Sequence, residues 1–187
     1  MTKREWVFYG AVLHDIDEII EPTSNYHKPV GYNFLKELNI FSDEILNCVK
    51  GDIKDSCDGQ AFDIANIVSI ADHLSTGINN LKPNGIQETR FSGMQSIFNR
   101  LNKNNDDKVI APMLLDGYIN FPQDKKAKLN NDIYREIQIK LKKHLKKSIS
   151  TQSGHNSLLA LLESLWSFIP SSIPDISFYD HAKTTAA

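Results

Sequence analysis

The sequence has 187 residues, a hydrophobic fraction of 41% and a net charge of −2. A chain of this length buries about two-thirds of its unfolded surface, so it needs no disulfide or metal merely to fold. The charge argues against a domain held on nucleic acid by an overall positive field. Cys48 and Cys57 form no CxxC pair, so the sequence does not support a zinc ribbon. Without a signal peptide or a long apolar run, the chain is expected to be cytoplasmic and to have no membrane partner.

Four helices are predicted in the first 80 residues of the chain. Thr2 and Glu5 fit a capping box that starts a helix over residues 6–20, which Pro22 ends. A second helix is predicted over residues 28–39 and a shorter third one, capped by Ser42 or Asp43, runs to Lys50. Residues 51–59 are predicted to form a loop. Residues 60–78 are predicted to form a helix that buries one face, made of Ile67, Ala71, Leu74 and Ile78.

The second half of the chain is predicted to contain an irregular segment followed by three helices. Residues 81–128 are rich in Asn, Pro, Gly and charge, which predicts an irregular segment with short extended pieces. Helices are predicted over residues 131–148, where Ile133, Ile137, Leu141 and Leu145 are spaced by four, and over 155–168. A last helix begins at Asp175 and shows no stop signal before Ala187. We therefore predict a mostly α fold, with a core at 1–80, a connecting segment at 81–128, further helices of the same domain at 129–170 and a junction helix at 171–187.

Three positions carry residue types that hold metals. The adjacent pair His14 and Asp15 offers an imidazole nitrogen and a carboxylate within one helical turn. His27 precedes the second predicted helix, and Asp72 lies in the apolar helix over 60–78, where a buried carboxylate is costly unless it is paired or metal-bound. Each position alone has a plain alternative: a chance dipeptide, a surface histidine and an aspartate facing solvent.

The order of these motifs resembles a known family. The pattern G-x-x-L-H-D ends at Asp15, H-x-x-x-G-x-x-F-L runs from His27, and I-A-D-x-x-S-x-G contains Asp72. Together with QSIFNRLN at 95–102 and the terminal DISFYDHAKTTAA, this order is similar to the permuted HD domain at the front of the large subunit of type III-A CRISPR effector complexes. The resemblance implies a permuted HD-domain helical bundle, and it implies that the chain stops before the rest of that subunit.

The resemblance also implies a chemistry and a set of partners. Such subunits assemble with other effector subunits, CRISPR RNA and target RNA, and their HD site cuts single-stranded DNA with a divalent metal. Mn²⁺ or Ni²⁺ is expected, with Mg²⁺ as the alternative. By this resemblance His14 and Asp15 are catalytic, and the metal ligands are His14, Asp15, His27 and Asp72. A later Palm domain of the family makes cyclic oligoadenylate and carries a GGDD motif, which this chain lacks, so no cyclase activity is assigned.

Two departures from the family pattern bear on activity. The family reads H-D-I-G-K where this chain has Asp17 and Glu18 after Ile16. The family also has a His-His pair before the I-A-D helix, whereas residues 40–71 here contain no histidine, and Asp52 is the candidate substitute ligand. Fewer imidazole ligands weaken metal binding. The interpretations that stay open are a weakened nuclease, an inactive structural domain of the effector complex, and an HD phosphohydrolase acting on a small nucleotide.

One helix carries a cluster of lysines, of which Lys142, Lys143 and Lys146 are candidates for contacts with nucleic-acid phosphates. The alternative is a solvated helix face opposite the Ile and Leu stripe. His155 and His181 have no matching ligands nearby in the sequence, so structural roles are expected for both.

Overall fold

The computed structural model describes residues 1–22, 30–50, 63–76, 93–101, 108–115, 121–124, 132–171, 173 and 175–187. The chain forms two compact units, the first made of Met1–Asn80 with Ala182–Ala187 and the second of Leu81–His181. No helix within the described ranges is both long and apolar enough to cross a membrane. His27 and Asp52 lie outside the described residues, as does the loop predicted at 51–59.

The first unit is built from helices. They are α1 (Lys3–Leu13), α2 (Asp17–Ile20), α3 (Val30–Glu37), α4 (Asp43–Val49) and α5 (Ile64–Ser75). Helix α1 packs against both α4 and α5, which also pack against each other, while α3 contacts α2 and α4. The capping box predicted at Thr2 and Glu5 is present, and Ser42 is the N-terminal cap of α4. These contacts place the C-terminal end of α1 beside α5.

The helix predicted over residues 6–20 is in fact two helices, so that prediction was wrong. The break falls at the turn of residues 14–16, where the amide of Ile16 donates to the carbonyl of Leu13 at 3.1 Å. Ile16 is 0% exposed and Ile19 1% exposed. The turn redirects the chain so that both side chains enter the core, and their burial outweighs one continued helix. As a result, His14 and Asp15 lie at a helix end.

The predicted buried face of α5 was also wrong. Ile64 and Val68 are buried and pack with Ala11 of α1, whereas Leu74 is 70% exposed. Ile78 lies outside the described residues. The helix has apolar residues around most of its circumference, so spacing alone fits two stripes equally well. Positions 64, 68 and 72 are four apart, and the face that packs on α1 therefore continues to Asp72.

The second unit combines a small sheet with two long helices. Strands β1 (Met94–Gln95), β2 (Lys108–Ile110) and β3 (Gln123–Asp124) pair antiparallel in that order, with Met94 opposite Ile110 and Val109 opposite Gln123. The short helix α6 (Phe98–Leu101) follows β1. Helices α7 (Asp132–Ile149) and α8 (Gly154–Trp166) pack against each other. The predicted mostly α fold, with short extended pieces between residues 81 and 128, is confirmed.

The last helix, α9 (Phe178–Thr185), begins three residues later than predicted. The Ser177 hydroxyl accepts a hydrogen bond from the amide of Asp180 at 3.0 Å and donates one to its carboxylate at 2.7 Å. This reciprocal pair satisfies an amide that the first helical turn leaves unpaired, which is why the helix starts there. The final turn of α9, from Ala182 onward, belongs to the first unit.

Candidate metal centre

His14 is the residue around which the candidate site is built. It follows α1 directly, and its side chain is only 8% exposed. Its Nδ1 lies 2.8 Å from the carbonyl oxygen of Ala11, one turn earlier in the helix. A carbonyl can only accept, so the proton of the neutral imidazole is on Nδ1 and the lone pair is on Nε2. The helix end thus fixes both the tautomer and the direction of the ligating nitrogen.

Two carboxylates lie next to that nitrogen. Nε2 of His14 is 3.1 Å from Oδ2 of Asp15 and 3.5 Å from Oδ1 of Asp72. Asp15 is the next residue in the turn, and Asp72 lies one turn beyond Val68 on the face of α5 that packs against α1. The two carboxylates are 34% and 27% exposed, so the site is open to solvent on their side.

The electrostatics of His14 follow from these neighbours. Burial lowers the pKa of His14, but the adjacent Asp15 carboxylate and then Asp72 raise it by more, so its pKa lies well above the usual value of 6.5. Two anions beside one imidazole form a site that favours a cation. A proton on Nε2 and a divalent metal would compete for this site.

His181 is a further candidate ligand that the sequence reasoning missed. It is 5% exposed and precedes the turn of α9 that carries Thr185, whose hydroxyl is hydrogen bonded to Ser75 of α5. Residues four apart lie on the same face of a helix, so His181 lies on the face of α9 that carries Thr185 and contacts α5. His14, Asp15, Asp72 and His181 each offer one ligand atom, and these atoms all lie within 4.8 Å of one another. The structural role expected for His181 stays a prediction, and its place in this group makes it a candidate ligand as well.

The donor set fits a divalent transition metal. Two imidazole nitrogens and two carboxylate oxygens suit Mn²⁺, Ni²⁺ and their neighbours better than Mg²⁺, which prefers oxygen ligands and water. The bond from Nδ1 of His14 to the Ala11 carbonyl is the kind of support that orients a metal-binding histidine. Of the four ligands predicted from the sequence, the structure brings together His14, Asp15 and Asp72. His27 and Asp52 stay predictions.

Gly31 holds the turn that carries His14 and Asp15 in place. A Cβ at this position would lie 2.8 Å from the backbone nitrogen of Asp17 and 2.8 Å from Cγ2 of Ile16. Such distances are too short for any side chain, so only glycine allows α3 to approach the start of α2 this closely. The glycine in the H-x-x-x-G pattern is thereby explained by packing.

Asp17 and Glu18, which replace Gly and Lys of the family pattern, form the first turn of α2 and are half-buried. Acidic residues are favoured at this end of a helix because they face its unpaired amides. Among the described residues they are not members of the four-residue group around His14. The lysine candidates Lys142, Lys143 and Lys146 are exposed on α7, in the second unit.

A helical fold with a His-Asp pair at one helix end and an aspartate from a second helix beside it is consistent with the HD-domain bundle expected from the sequence. No family model matches the chain. Its sequence is 28% identical over its whole length to the "CRISPR system single-strand-specific deoxyribonuclease Cas10/Csm1 (subtype III-A)" of Enterococcus italicus, and 27% identical over 97% of its length to the protein of that name from Streptococcus thermophilus. The whole chain is therefore similar to part of the Cas10/Csm1 proteins of subtype III-A.

Solved structures show the same fold. The structure described as the Csm1–Csm4 cassette in complex with AMPPNP matches all of this chain with a TM-score of 0.71 and 23% sequence identity. The match covers 28% of that Csm1 chain, and the two curated relatives are likewise covered over 28% and 26% of their lengths. The chain thus spans about a quarter of the length of the relatives that it matches.

Proposed function

We propose that this chain is a divalent-metal-dependent nuclease domain that cuts single-stranded DNA within a type III-A effector complex. The observation that carries the proposal is the position of His14. Its Nε2 is directed at the carboxylates of Asp15 and Asp72, 3.1 and 3.5 Å away, while its Nδ1 is held by the Ala11 carbonyl. The preference for single-stranded DNA is supported by the name of the two relatives, single-strand-specific deoxyribonuclease.

In this proposal each ligand has a defined part. His14 supplies a neutral nitrogen whose proton is held on Nδ1 by the helix, and His181 supplies a second nitrogen. Asp15 and Asp72 supply negative charge, and their partial exposure leaves room for a phosphodiester to approach. A divalent metal bound by these residues would lower the pKa of a water molecule and neutralise charge on the phosphate. We infer Mn²⁺ or Ni²⁺ rather than Mg²⁺ from the two imidazoles.

We further propose that the chain works with other subunits and with RNA. The support is its similarity to Csm1 chains solved together with Csm4, and to proteins named as parts of a CRISPR system. CRISPR RNA and target RNA are partners of the complex in this proposal, and single-stranded DNA is the substrate.

The direct test is cleavage of labelled single-stranded DNA by the purified chain with Mn²⁺ or Ni²⁺, compared with EDTA. The variant His14→Ala/Asp15→Ala should lose cleavage. His73→Ala/Asp63→Asn is a matched control, because it removes one imidazole and one carboxylate from exposed positions of α5 or its cap. Cleavage that survives in His14→Ala/Asp15→Ala, or that is equally absent from all variants, would contradict the proposal.

A specific observation favours a second candidate, an inactive domain that serves only in assembly. Residues 40–71 contain no histidine where the family has a His-His pair, so the site has fewer nitrogen ligands than an active member. The two candidates differ in metal binding. Stoichiometric, tight Mn²⁺ binding in a calorimeter counts against the inactive domain, whereas binding no tighter than that of His14→Ala/Asp15→Ala counts for it. Hydrolysis of small nucleotides in preference to DNA would instead support an HD phosphohydrolase.

A further inference from the structure

Helix α7 carries a positive face on a chain that is negative overall. Its 18 residues include six Lys or Arg and two acids, a net charge of +4, whereas the whole chain has a net charge of −2. The remaining residues therefore have a net charge of −6. One of the acids, Glu136, is paired with Lys140 at 3.0 Å. The positive charge is thus local, and it is concentrated on one helix of the second unit.

An exposed apolar side chain, Ile139, lies on the charged side of α7. Ile139 is 60% exposed although it is large and apolar. Residues three, four and seven positions away lie on the same side of a helix, and around Ile139 these positions hold four cations, Arg135, Lys142, Lys143 and Lys146, and the two acids of the helix, Asp132 and Glu136. The face keeps a positive balance of two charges, and its C-terminal half holds only cations. The opposite side is buried through Tyr134, Ile137, Leu141 and Leu145. We call Arg135, Ile139, Lys142, Lys143 and Lys146 the cationic face of α7.

Helix stability explains only part of this arrangement. Cations in the last turn, such as Lys146 and Lys147, are favourable because they face the unpaired carbonyls of the helix end. That effect fades within one turn, so it does not account for Arg135, Lys142 or Lys143. Nor does it account for an exposed isoleucine at the centre, which a solvated face would replace by a polar residue.

We propose that the cationic face of α7 binds single-stranded nucleic acid. Its lysines and Arg135 would contact the phosphates, and Ile139 would contact the face of an unstacked base, which only a single strand exposes. The choice of single-stranded DNA as the strand rests on the proposed function. The face extends the proposal because it provides a binding surface for the strand that is separate from the residues proposed to cut it.

The test measures binding of a labelled single-stranded DNA by fluorescence anisotropy in EDTA, at several salt concentrations. EDTA makes the result independent of the metal site, so failure here and failure of the nuclease proposal are distinguishable. Lys142→Gln/Lys143→Gln/Lys146→Gln should weaken binding about tenfold and reduce the salt slope by about 2, because each phosphate contact on a single strand contributes roughly 0.7. The corresponding triple change to Arg keeps the charge and should keep the affinity.

Two comparisons make the test specific. Lys3→Gln/Lys36→Gln/Lys50→Gln removes the same charge from exposed positions of the first unit and should leave binding nearly unchanged. Ile139→Ala should weaken binding to the single strand a few-fold and leave binding to duplex DNA unaltered. Equal weakening by both lysine triples would overturn the proposal, because the effect would then come from overall charge. The proposal would also be overturned if polyglutamate displaced the labelled single-stranded DNA as well as unlabelled single-stranded DNA does. That result would show a surface that binds any acidic polymer.

Discussion

Thr185 and Ser75 are joined by a hydrogen bond between their hydroxyl groups, 3.0 Å apart, although 110 positions separate them in the sequence. The Ser75 hydroxyl in turn donates to the carbonyl of Asp72 at 2.9 Å. Thr185 is 4% exposed and Ser75 is half-buried, so the bond between them is partly protected from water. It ties the last turn of α9 to the turn of α5 that carries Asp72.

This chain of hydrogen bonds predicts a loss of stability in Thr185→Val. Valine keeps the shape but cannot donate, which leaves the half-buried Ser75 hydroxyl without that partner and costs about 1 kcal/mol of unfolding free energy. Thr185→Ser keeps the hydroxyl and should retain more of the stability. Thr184→Val is the matched control, since Thr184 is exposed. Urea unfolding in EDTA measures all three, and equal losses at positions 184 and 185 would show that the bond is not stabilising.

The carboxylates beside His14 predict how the metal-free chain responds to pH. The pKa of His14 is raised in the folded chain, to a value well above the 6.5 expected when unfolded. A raised pKa stabilises the fold fully below pH 6.5, and this contribution is lost as the pH rises through the higher folded value. In EDTA, the unfolding free energy of the chain minus that of His14→Gln should therefore fall as the pH rises from 6.5 through the folded pKa of His14. A constant difference would mean that the two carboxylates do not bind the protonated ring.

The close approach at Gly31 predicts that Gly31→Ala disturbs the turn of His14 and Asp15. The added Cβ meets the backbone nitrogen of Asp17 at 2.8 Å, and a backbone atom cannot rotate away. Overpacking of this kind costs about 1–3 kcal/mol, and it pushes directly on the residues that follow Asp15. The variant should lose both thermal stability and Mn²⁺ affinity. Unchanged melting temperature and affinity would show that α2 and α3 are not packed as described.

Local signals in the sequence predicted much of the first unit and part of the site. The Thr2 and Glu5 capping box predicted the start of α1. The order of the motifs predicted that His14, Asp15 and Asp72 belong to one site. The break after Leu13 was missed because it depends on the burial of Ile16 and Ile19, which a helical pattern also allows. The face of α5 was missed because its apolar residues fit two stripes, and only contact with Ala11 selects one.

His181 was missed for a different reason. Nothing in the sequence near this histidine marks a ligand set, because its possible partners lie at the other end of the chain. The available signal was its position four residues before Thr185 in the terminal DISFYDHAKTTAA segment, which places both on one helix face. Contacts between such distant segments are set by tertiary packing rather than by local spacing.

The most direct test of the central claim is a calorimetric titration of the metal-free chain with Mn²⁺, beside Asp72→Asn and the control Asp63→Asn. Asp72 lies 3.5 Å from His14, whereas Asp63 is an exposed cap of the same helix. The account predicts stoichiometric binding by the chain and by Asp63→Asn, at least tenfold weaker binding by Asp72→Asn, and release of protons as Mn²⁺ replaces the proton on His14. Equal affinity in all three proteins, or no binding by the unaltered chain, would contradict a metal centre at His14, Asp15 and Asp72.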